Sequence, residues 1–314
     1  MNSNRVAVFI LDLNGSTDTL QAVESVRYNS CTDVEIMIHI NGSSPEHTKR
    51  IVQALSSMPD VRISKTDINL GYAGGNNHLL QNLLTEDDHP EYILFLNNDA
   101  RLEKDTIATL ISVMDANAKV GAVGPRILHN DTESIIAADG ARTWKWIMQQ
   151  SFRNAGKLAD DCRITPPFAV PFVSGACMLV RADQFAALGG FDEKYFAYFE
   201  DWDLCLRMRA IGYRCLHVTA ATAYHAGSVT TGKNSLIYHF LMTRNRYLMA
   251  RKHLSMPVFV SLFLPYFLLS RVIYKMAVLL ASNQRQGVRG ILLGLAWLLA
   301  PVPARVRFWP ITNT

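Results

Sequence analysis

The chain has 314 residues, enough for one large α/β domain with an appendage or for two ordinary domains. With 49% hydrophobic and 18% charged residues, no low-complexity tract and no repeat at solenoid spacing, it excludes disordered, fibrous and repeat architectures. The net charge of +4 conceals a division: residues 1–203 hold 17 Lys and Arg against all 27 acids, a balance of −10, while residues 204–314 hold 14 Lys and Arg and no acid, a balance of +14.

That asymmetry points the C-terminal part at an anionic surface. Its basic residues alternate with long aliphatic and aromatic runs, which suits a bilayer with anionic lipids and argues against nucleic acid. The five cysteines are odd in number and form no C-x-x-C pair, so neither a disulfide framework nor a zinc site is expected, and a reducing compartment is. The first apolar run, Val6 to Leu11, is too short for a signal-peptide core. The expectation is a cytoplasmic protein, peripheral at the inner face of the cell membrane.

From the N-terminus, short β-branched runs alternate with helix-like segments, the pattern of βαβ units and a mostly parallel, Rossmann-like sheet flanked by helices. Strands are predicted at Val6–Leu11, Val34–Ile40, Val61–Lys65, Tyr92–Leu96 and Val120–Val123, with helices starting near Thr17, Pro45, Ala73 and Lys104. Ligands of such sheets bind beyond the carboxyl ends of the strands. Residues 128–168, with Trp144, Trp146 and Pro166-Pro167, break the pattern and predict an insertion. A second ordered block follows: a strand at Ala176–Val180, a helix from Arg181, a turn at Gly189-Gly190, a helix from about Asp201 to Ile211 and a strand at Arg214–Val218.

Beyond Tyr238 the chain turns helical, at Ile237–Lys252 and then Met256–Ala281, the latter interrupted by Pro257, Pro265, Arg271 and Lys275. As a membrane span that stretch is marginal, and Val288–Leu299 is too short. Helices lying in the interface are expected, with Arg271, Lys275, Arg285, Arg289, Arg305 and Arg307 snorkelling to headgroups. A buried helical hairpin or a homodimer interface is the alternative. The division predicted is residues 1–235, with a nucleotide-sugar half at about 1–125 and an acceptor half at about 126–235, followed by a basic, apolar extension at 236–314.

Three segments carry chemistry. Asn97-Asn98-Asp99 follows the fourth strand, where a carboxylate suits a hard divalent cation, although Asn and Asp after a strand are also ordinary turn residues. Asn69 to Asn77 holds three glycines, Gly71, Gly74 and Gly75, and three asparagines, Asn69, Asn76 and Asn77; the glycines admit a bulky ligand and the amides suit a diphosphate or sugar. Glu200-Asp201-Trp202-Asp203 places three carboxylates in four positions, so repulsion can raise one pKa into the range of a general base. Asp203 lies four residues before Arg207 and can pair with it, leaving Asp201 the freest to face a cleft, with a helix cap as the competing role. His225 can offer a neutral imidazole to a metal, though a lone histidine is more often structural.

In order and spacing these segments resemble glycosyltransferase family 2, especially its bacterial rhamnosyltransferase-like branch. The similarity runs from Val6 to about Gly232. The family's G-G-N-N resembles Gly74–Asn77 and its D-x-D-type motif resembles Asn97-Asn98-Asp99. S-G-A-x-x-x-V-R matches Ser174–Arg181, G-G-F-D-E matches Gly189–Glu193, and E-D-x-D-x-C-x-R matches Glu200–Arg207, with the later histidine at His225. The resemblance implies a GT-A fold, inverting transfer of a single sugar (rhamnose or another hexose) and Mg²⁺ or Mn²⁺ on Asp99 and His225. It further implies Asp201 as the base with Glu200 and Asp203 supporting it, and Ser174, Gly175, Trp202 and Arg207 on the acceptor side. Donor contacts are then expected from Asp12, Asn14, Asn41, Asn69, Gly71, Gly74, Gly75, Asn76, Asn77, Asn97 and Asn98. The donor would be a dTDP- or UDP-linked sugar and the acceptor a lipid-linked saccharide of the cell envelope.

Two departures touch recognition of the donor base. Leu13-Asn14 stands where the family usually has an aromatic before the asparagine, and Ile40-Asn41 stands where it usually has an aspartate. A processive polysaccharide synthase of related fold would show several clear spans and a Q-x-x-R-W motif, neither of which is present. A nucleotidyltransferase would carry a basic residue in the loop after the first strand, where Leu13-Asn14-Gly15-Ser16 has none.

Overall fold

Runs of Val, Ile, Leu and Phe too continuous for a half-exposed sheet mark the early strands, and burial on both faces is where such runs belong. In the computed structural model, which describes residues 6–31, 33–85, 89–227 and 235–299, they form β1 (Val6–Asp12), β2 (Val34–Asn41), β3 (Val61–Thr66) and β4 (Tyr92–Asn97). Short β5 (Ala100–Leu102) and long β6 (Val120–His129) follow, then β7 (Ile136–Ala138), β8 (Phe168–Ala169), β9 (Cys177–Arg181) and β10 (Arg214–His225). Helices α1 (Ser16–Arg27), α2 (Pro45–Leu55), α3 (Gly71–Leu83), α4 (Thr106–Asp115), α5 (Ala182–Ala187) and α6 (Glu200–Ala210) flank them.

The strands make one mixed sheet in the order β8-β10-β6-β9-β4-β1-β2-β3, with β5 paired to β10 and β7 to β6. Strands β1 to β4 are parallel neighbours, whereas β9 runs antiparallel between β4 and β6. Its register sets Cys177 opposite Leu96, so the turn entering β9 lies beside the carboxyl end of β4. β10 runs to His225, past an irregularity between Val218 and Thr222, and pairs with β5 so that His225 stands opposite Ala100. One hydrophobic core, including Val8, Ile10, Ile38, Leu94, Leu96, Leu110 and Leu179, fills the space around β1, β2 and β4. The irregular stretch after β6 is anchored by buried Asp139, which accepts from Arg126, Asn154 and His217. Burial would raise its pKa, but these bonds outweigh it and hold the carboxyl below the usual range.

The chain divides into two compact units: Met1–Arg142, Ser151–Phe196 and Glu200–Gly227 form the first, and Thr143–Gln150, Ala197–Phe199 and Ser228–Thr314 the second. The second unit holds α7 (Leu236–His253), α8 (Met256–Ala281) and α9 (Arg285–Leu299). Gly287, Gly290 and Gly294 on α9 lie against α7, where a Cβ at Gly290 would come within 2.3 Å of the Leu236 carbonyl oxygen. Small residues at this spacing let two helix backbones approach closely. Asn245 on α7 donates to the carbonyls of Ala197 and Tyr198, and Tyr198 and Phe199 both have positive φ, 69° and 77°. Side chains rarely adopt that backbone without outside support.

α8 is long and apolar enough to cross a membrane, with 22% of its most apolar window buried. Leu269 and Ile273 are each 62% exposed. Arg285 and Arg289 are exposed as expected of snorkelling residues, while Arg305 and Arg307 lie outside the described residues. Arg271 corrects the expectation: it is 8% exposed and its guanidinium donates to Thr243 Oγ1 and the His239 carbonyl within the helical unit.

Candidate active site

The carboxyl edge of β4 gathers the chemistry. Asp99 follows the strand by two residues, and the β5–β10 register brings the His225 imidazole to it, with Nε2 3.1 Å from Asp99 Oδ1. The same nitrogen lies 3.0 Å from Asn97 Nδ2. Asp99 and His225 would together offer a divalent cation a carboxylate oxygen and an imidazole nitrogen. A carboxylate oxygen and an imidazole nitrogen suit Mn²⁺ well and leave the other positions to phosphate oxygens and water. No cluster of three or more His, Cys, Asp or Glu suited to a metal occurs among the described residues, so a cation here rests on two protein ligands.

Asp18, on the first turn of α1, joins this edge without having been singled out in the sequence. Its pKa is raised by partial burial first and then by the charges of Asp99 and Asp12. Asp12, Asp18 and Asp99 thus concentrate negative potential where a cation would be attracted.

On the neighbouring turn, Asn97 N–H donates to the Ala176 carbonyl, 3.0 Å, and Gly175 N–H donates to Asp201 Oδ2, also 3.0 Å. Asp99 and Asp201 are therefore tied to one sheet edge through the turn at 174–176. Asp201 sits in the first turn of α6, where Oδ1 also accepts from Trp202 N–H, 2.7 Å. Burial raises its pKa, and the backbone bonds from Gly175 and Trp202 restrain the rise. Glu200 is 6% exposed and its Oε2 has no partner among the described residues. Burial, then the Asp201 charge, push Glu200 well above the carboxylate range. Burial raises both adjacent acids, Glu200 the further, while the N–H donors that favour the charged form converge on Asp201.

Tyr72 is a second residue that sequence reasoning passed over. Its hydroxyl donates to the Gly175 carbonyl at 2.6 Å. Burial, followed by the charges of Glu200 and Asp201, lifts it well above the usual tyrosine pKa, so it remains a donor. Only its place in the Asn69–Asn77 segment signalled it.

Several expected contacts prove internal. The glycine segment opens α3, two residues before the helix start expected at Ala73: Gly71 has φ +74° against Phe196, and Gly75 lets the helix approach Leu11 to where a Cβ would stand 3.0 Å from its methyls. Gly74 is likewise buried, against Leu70. Asn77 donates to the Phe191 carbonyl and Glu193 and accepts from Phe191 N–H, stapling α3 to the Gly189–Glu193 turn. Asn76 is 1% exposed and donates to its own helix. Asn41 and Asn69 bond one another and the backbone of Leu70 and Gly71. Asp12, fully buried, accepts from Gly15 N–H, Thr19 and Ser43, organising the turn after β1. These bonds hold the donor-side loops in shape.

The acceptor-side expectations divide in the same way. Trp202 is 1% exposed and stacks on Phe172 at 5.5 Å, so it belongs to the core. Asp203, with no exposed surface, receives Arg207 Nε at 2.8 Å, while the rest of that guanidinium donates to the Leu188 and Gly190 carbonyls. Asp203 and Arg207 therefore lock the Gly189-Gly190 turn instead of tuning the base. Asn14, Asn97, Asn98, Ser174 and Asp201 are exposed or part-exposed at the edge, while the Asp99 side chain is 9% exposed.

The chain is similar to known proteins in sequence and in fold. A similar sequence is the N-acetylglucosaminyl-diphospho-decaprenol L-rhamnosyltransferase of Mycobacterium tuberculosis, 28% identical over 218 residues that cover 64% of this chain and 69% of that protein. Rhamnosyltransferase WbbL of Escherichia coli K12 is 32% identical over 160 residues, covering 48% of this chain and 60% of that protein. In fold the chain is similar to GalNAc-T7, solved with UDP, GalNAc and Mn²⁺, with TM-score 0.61, 17% identity, and coverage of 88% of this chain and 58% of that one. It is also similar to mannosyltransferase PcManGT of Pyrobaculum calidifontis, solved with GDP-Man and Mn²⁺, with TM-score 0.57, 14% identity, and coverage of 96% and 77%. These likenesses show the GT-A fold. The profile of glycosyl transferase family 2 matches residues 8–189, more than half the chain, and the protein belongs to that family.

Proposed function

We propose that the protein transfers one hexose, rhamnose in the first instance, from a dTDP- or UDP-linked donor to a hydroxyl of a lipid-linked saccharide during synthesis of cell-envelope polysaccharide. The transfer takes place at the cytoplasmic face of the membrane and inverts the anomeric carbon. The observation that carries this reading is the pairing, on one sheet edge, of Asp201 held by Gly175 N–H with Asp99 beside His225. The names of the mycobacterial and Escherichia coli relatives support rhamnose as the sugar, and the former supports a lipid-diphosphate acceptor.

Asp201 accepts the proton of the acceptor hydroxyl as that oxygen attacks the sugar from the face opposite the leaving diphosphate. Burial pushes Glu200 well above the usual carboxylate range, which disfavours a second negative charge beside Asp201. The bonds from Gly175 and Trp202 fix the orientation of the Asp201 carboxylate, so donor and acceptor meet already aligned. Asp99 and His225 would hold Mg²⁺ or Mn²⁺, with His225 Nε2 giving to the cation the lone pair that faces Asn97 Nδ2 without it. Such a cation supplies charge stabilisation to the diphosphate as the sugar leaves. α8, with exposed apolar side chains, and the basic ends of the helical unit hold the enzyme at the membrane surface.

The test is to incubate purified protein with a panel of nucleotide sugars and a prenyl-diphosphate-linked N-acetylglucosamine, with and without a chelator. The expected product is a single-sugar extension, with release of the nucleoside diphosphate, that stops on chelation. Repeated addition of sugars, or full activity in chelator, would overturn the reading.

A further inference from the structure

The second unit contains twelve Lys and Arg and no Asp or Glu, counted over all three of its segments. Its arginines cannot be neutralised from within. Most such residues on a basic surface remain in water, but Arg246 on α7 and Arg271 on α8 are each only 8% exposed. Arg271 is held by Thr243 and by both the carbonyl and Nδ1 of His239. Arg246 makes no hydrogen bond or ion pair among the described residues, and its Nε is fully buried without a partner. His239 and Thr243, which hold Arg271, and Arg246 recur on α7 at spacings of four and three residues, so Arg246 lies on the stripe of α7 that receives Arg271. Burial lowers the Arg246 pKa, opposed by the nearby phenols of Tyr266 and Tyr238. His239 is pushed down to about 4 by burial first and then by Arg271 and Lys275, which reports a positive local potential.

Two desolvated like charges without a counter-ion are unfavourable unless an anion is supplied. The guanidinium fork matches phosphate oxygens in a bidentate geometry, and tyrosine hydroxyls add donors. The opposite face of the helix that carries Arg271 points to a membrane lipid as the carrier of that phosphate. Leu269, Ile273 and Leu262 on α8 are at least half exposed, so the helix that contributes Arg271 also presents a surface for acyl or prenyl chains.

We propose that Arg246 and Arg271 form a binding site for the phosphate head of a membrane lipid. On the reading of the function given above, that head is the diphosphate of the lipid-linked acceptor. Arg246 supplies a guanidinium whose Nε is buried without a partner among the described residues, and Arg271 the second charge.

The experiment uses the full chain and three probes: phosphatidylcholine vesicles doped with a polyprenyl diphosphate, the same vesicles doped with phosphatidylglycerol, and inorganic pyrophosphate in solution. Arg246→Met removes a side chain that holds no hydrogen bond among the described residues, and Arg271→Lys keeps the charge but loses the fork. Arg289→Gln removes an equal charge from an exposed position. Thermal melting checks that each variant is folded. Wild-type protein is expected to bind at least one probe, with Arg246→Met and Arg271→Lys about tenfold weaker or worse and Arg289→Gln close to wild type. Preference for the polyprenyl diphosphate identifies the acceptor lipid, equal binding of phosphatidylglycerol identifies bulk headgroups, and competition by pyrophosphate identifies the phosphate group itself as the determinant. Binding by Arg246→Met equal to wild type, equal losses in Arg289→Gln, or no wild-type binding to any probe overturns the proposal. Binding is read without a donor sugar, so failure of the transferase assay and failure of this site are separate results.

Discussion

Tyr72→Phe removes one oxygen and leaves the ring in place. The oxygen removed donates 2.6 Å to the Gly175 carbonyl, and the N–H of the same glycine donates 3.0 Å to Asp201 Oδ2. Tyr72 thus acts on the base through the turn at 174–176. A Cβ at Gly175 would stand 3.1 Å from the Tyr72 hydroxyl and 3.5 Å from the Asp201 Cβ, so the three residues are in contact. Leaving a buried carbonyl without its donor costs about 1–3 kcal/mol. If that cost appears as loss of the turn's ordered state, kcat falls roughly 5- to 150-fold at 1.36 kcal/mol per decade. The Gly175 N–H bond also restrains the rise in Asp201's pKa, so weakening it moves the acid limb of the kcat profile to higher pH. The assay is kcat and donor KM measured across pH at saturating acceptor. An unchanged kcat together with an unmoved acid limb would refute the coupling, and a change confined to donor KM would place Tyr72 on the donor instead.

Asp203→Ala leaves the half-buried Arg207 guanidinium without its carboxylate, a loss of roughly 3–5 kcal/mol. Thermal melting should fall sharply, and the same melting temperature as wild type would show that the pair does not hold the Gly189-Gly190 turn. His39 is fully buried between Ser64 and Thr66, beside His78; burial first and then His78 bring its pKa from 6.5 down to about 4. The unfolded chain therefore takes up this proton first, and stability falls as pH drops from 6.5 towards 4, by about 3 kcal/mol in total. Urea midpoints across that range should be flatter in His39→Asn, and identical slopes would remove His39 from the account. Leu269→Glu with Ile273→Glu, at two exposed positions of α8, should release the protein from vesicles without lowering its melting temperature. Undiminished flotation would mean that this face does not meet the bilayer.

Much of the sheet was legible because both-faced burial leaves uninterrupted apolar runs: β1 to β4 begin where Val6, Val34, Val61 and Tyr92 predict. β10 was read as ending at Val218, seven residues short, because the irregularity between Val218 and Thr222 breaks its pattern. That extension is what carries His225 to Asp99, a meeting fixed by register across 126 residues of sequence. The glycine-asparagine segment misled for a different reason. Composition cannot distinguish a glycine that admits a ligand from one that admits another helix or strand, and Gly75 admits Leu11. Three carboxylates within four positions were visible, but their division of labour was not: Arg207 claims Asp203, Gly175 claims Asp201, and Glu200 is left buried with an unpartnered oxygen. Asn245 carried no signal at all, since its partners, Ala197 and Tyr198, are backbone carbonyls far away in sequence.

The central claim is that a proton acceptor at 201 and a cation site at 99 serve one reaction from the same sheet edge. The most direct test measures Mn²⁺-dependent donor-nucleotide affinity and transfer turnover side by side in Asp201→Asn and Asp99→Asn. The account predicts that Asp201→Asn binds donor as the wild type does while turnover falls by about 10²- to 10⁴-fold. Asp99→Asn should lose both the metal dependence of binding and the turnover. Wild-type turnover in Asp201→Asn, or metal-dependent donor binding that survives in Asp99→Asn, would contradict it.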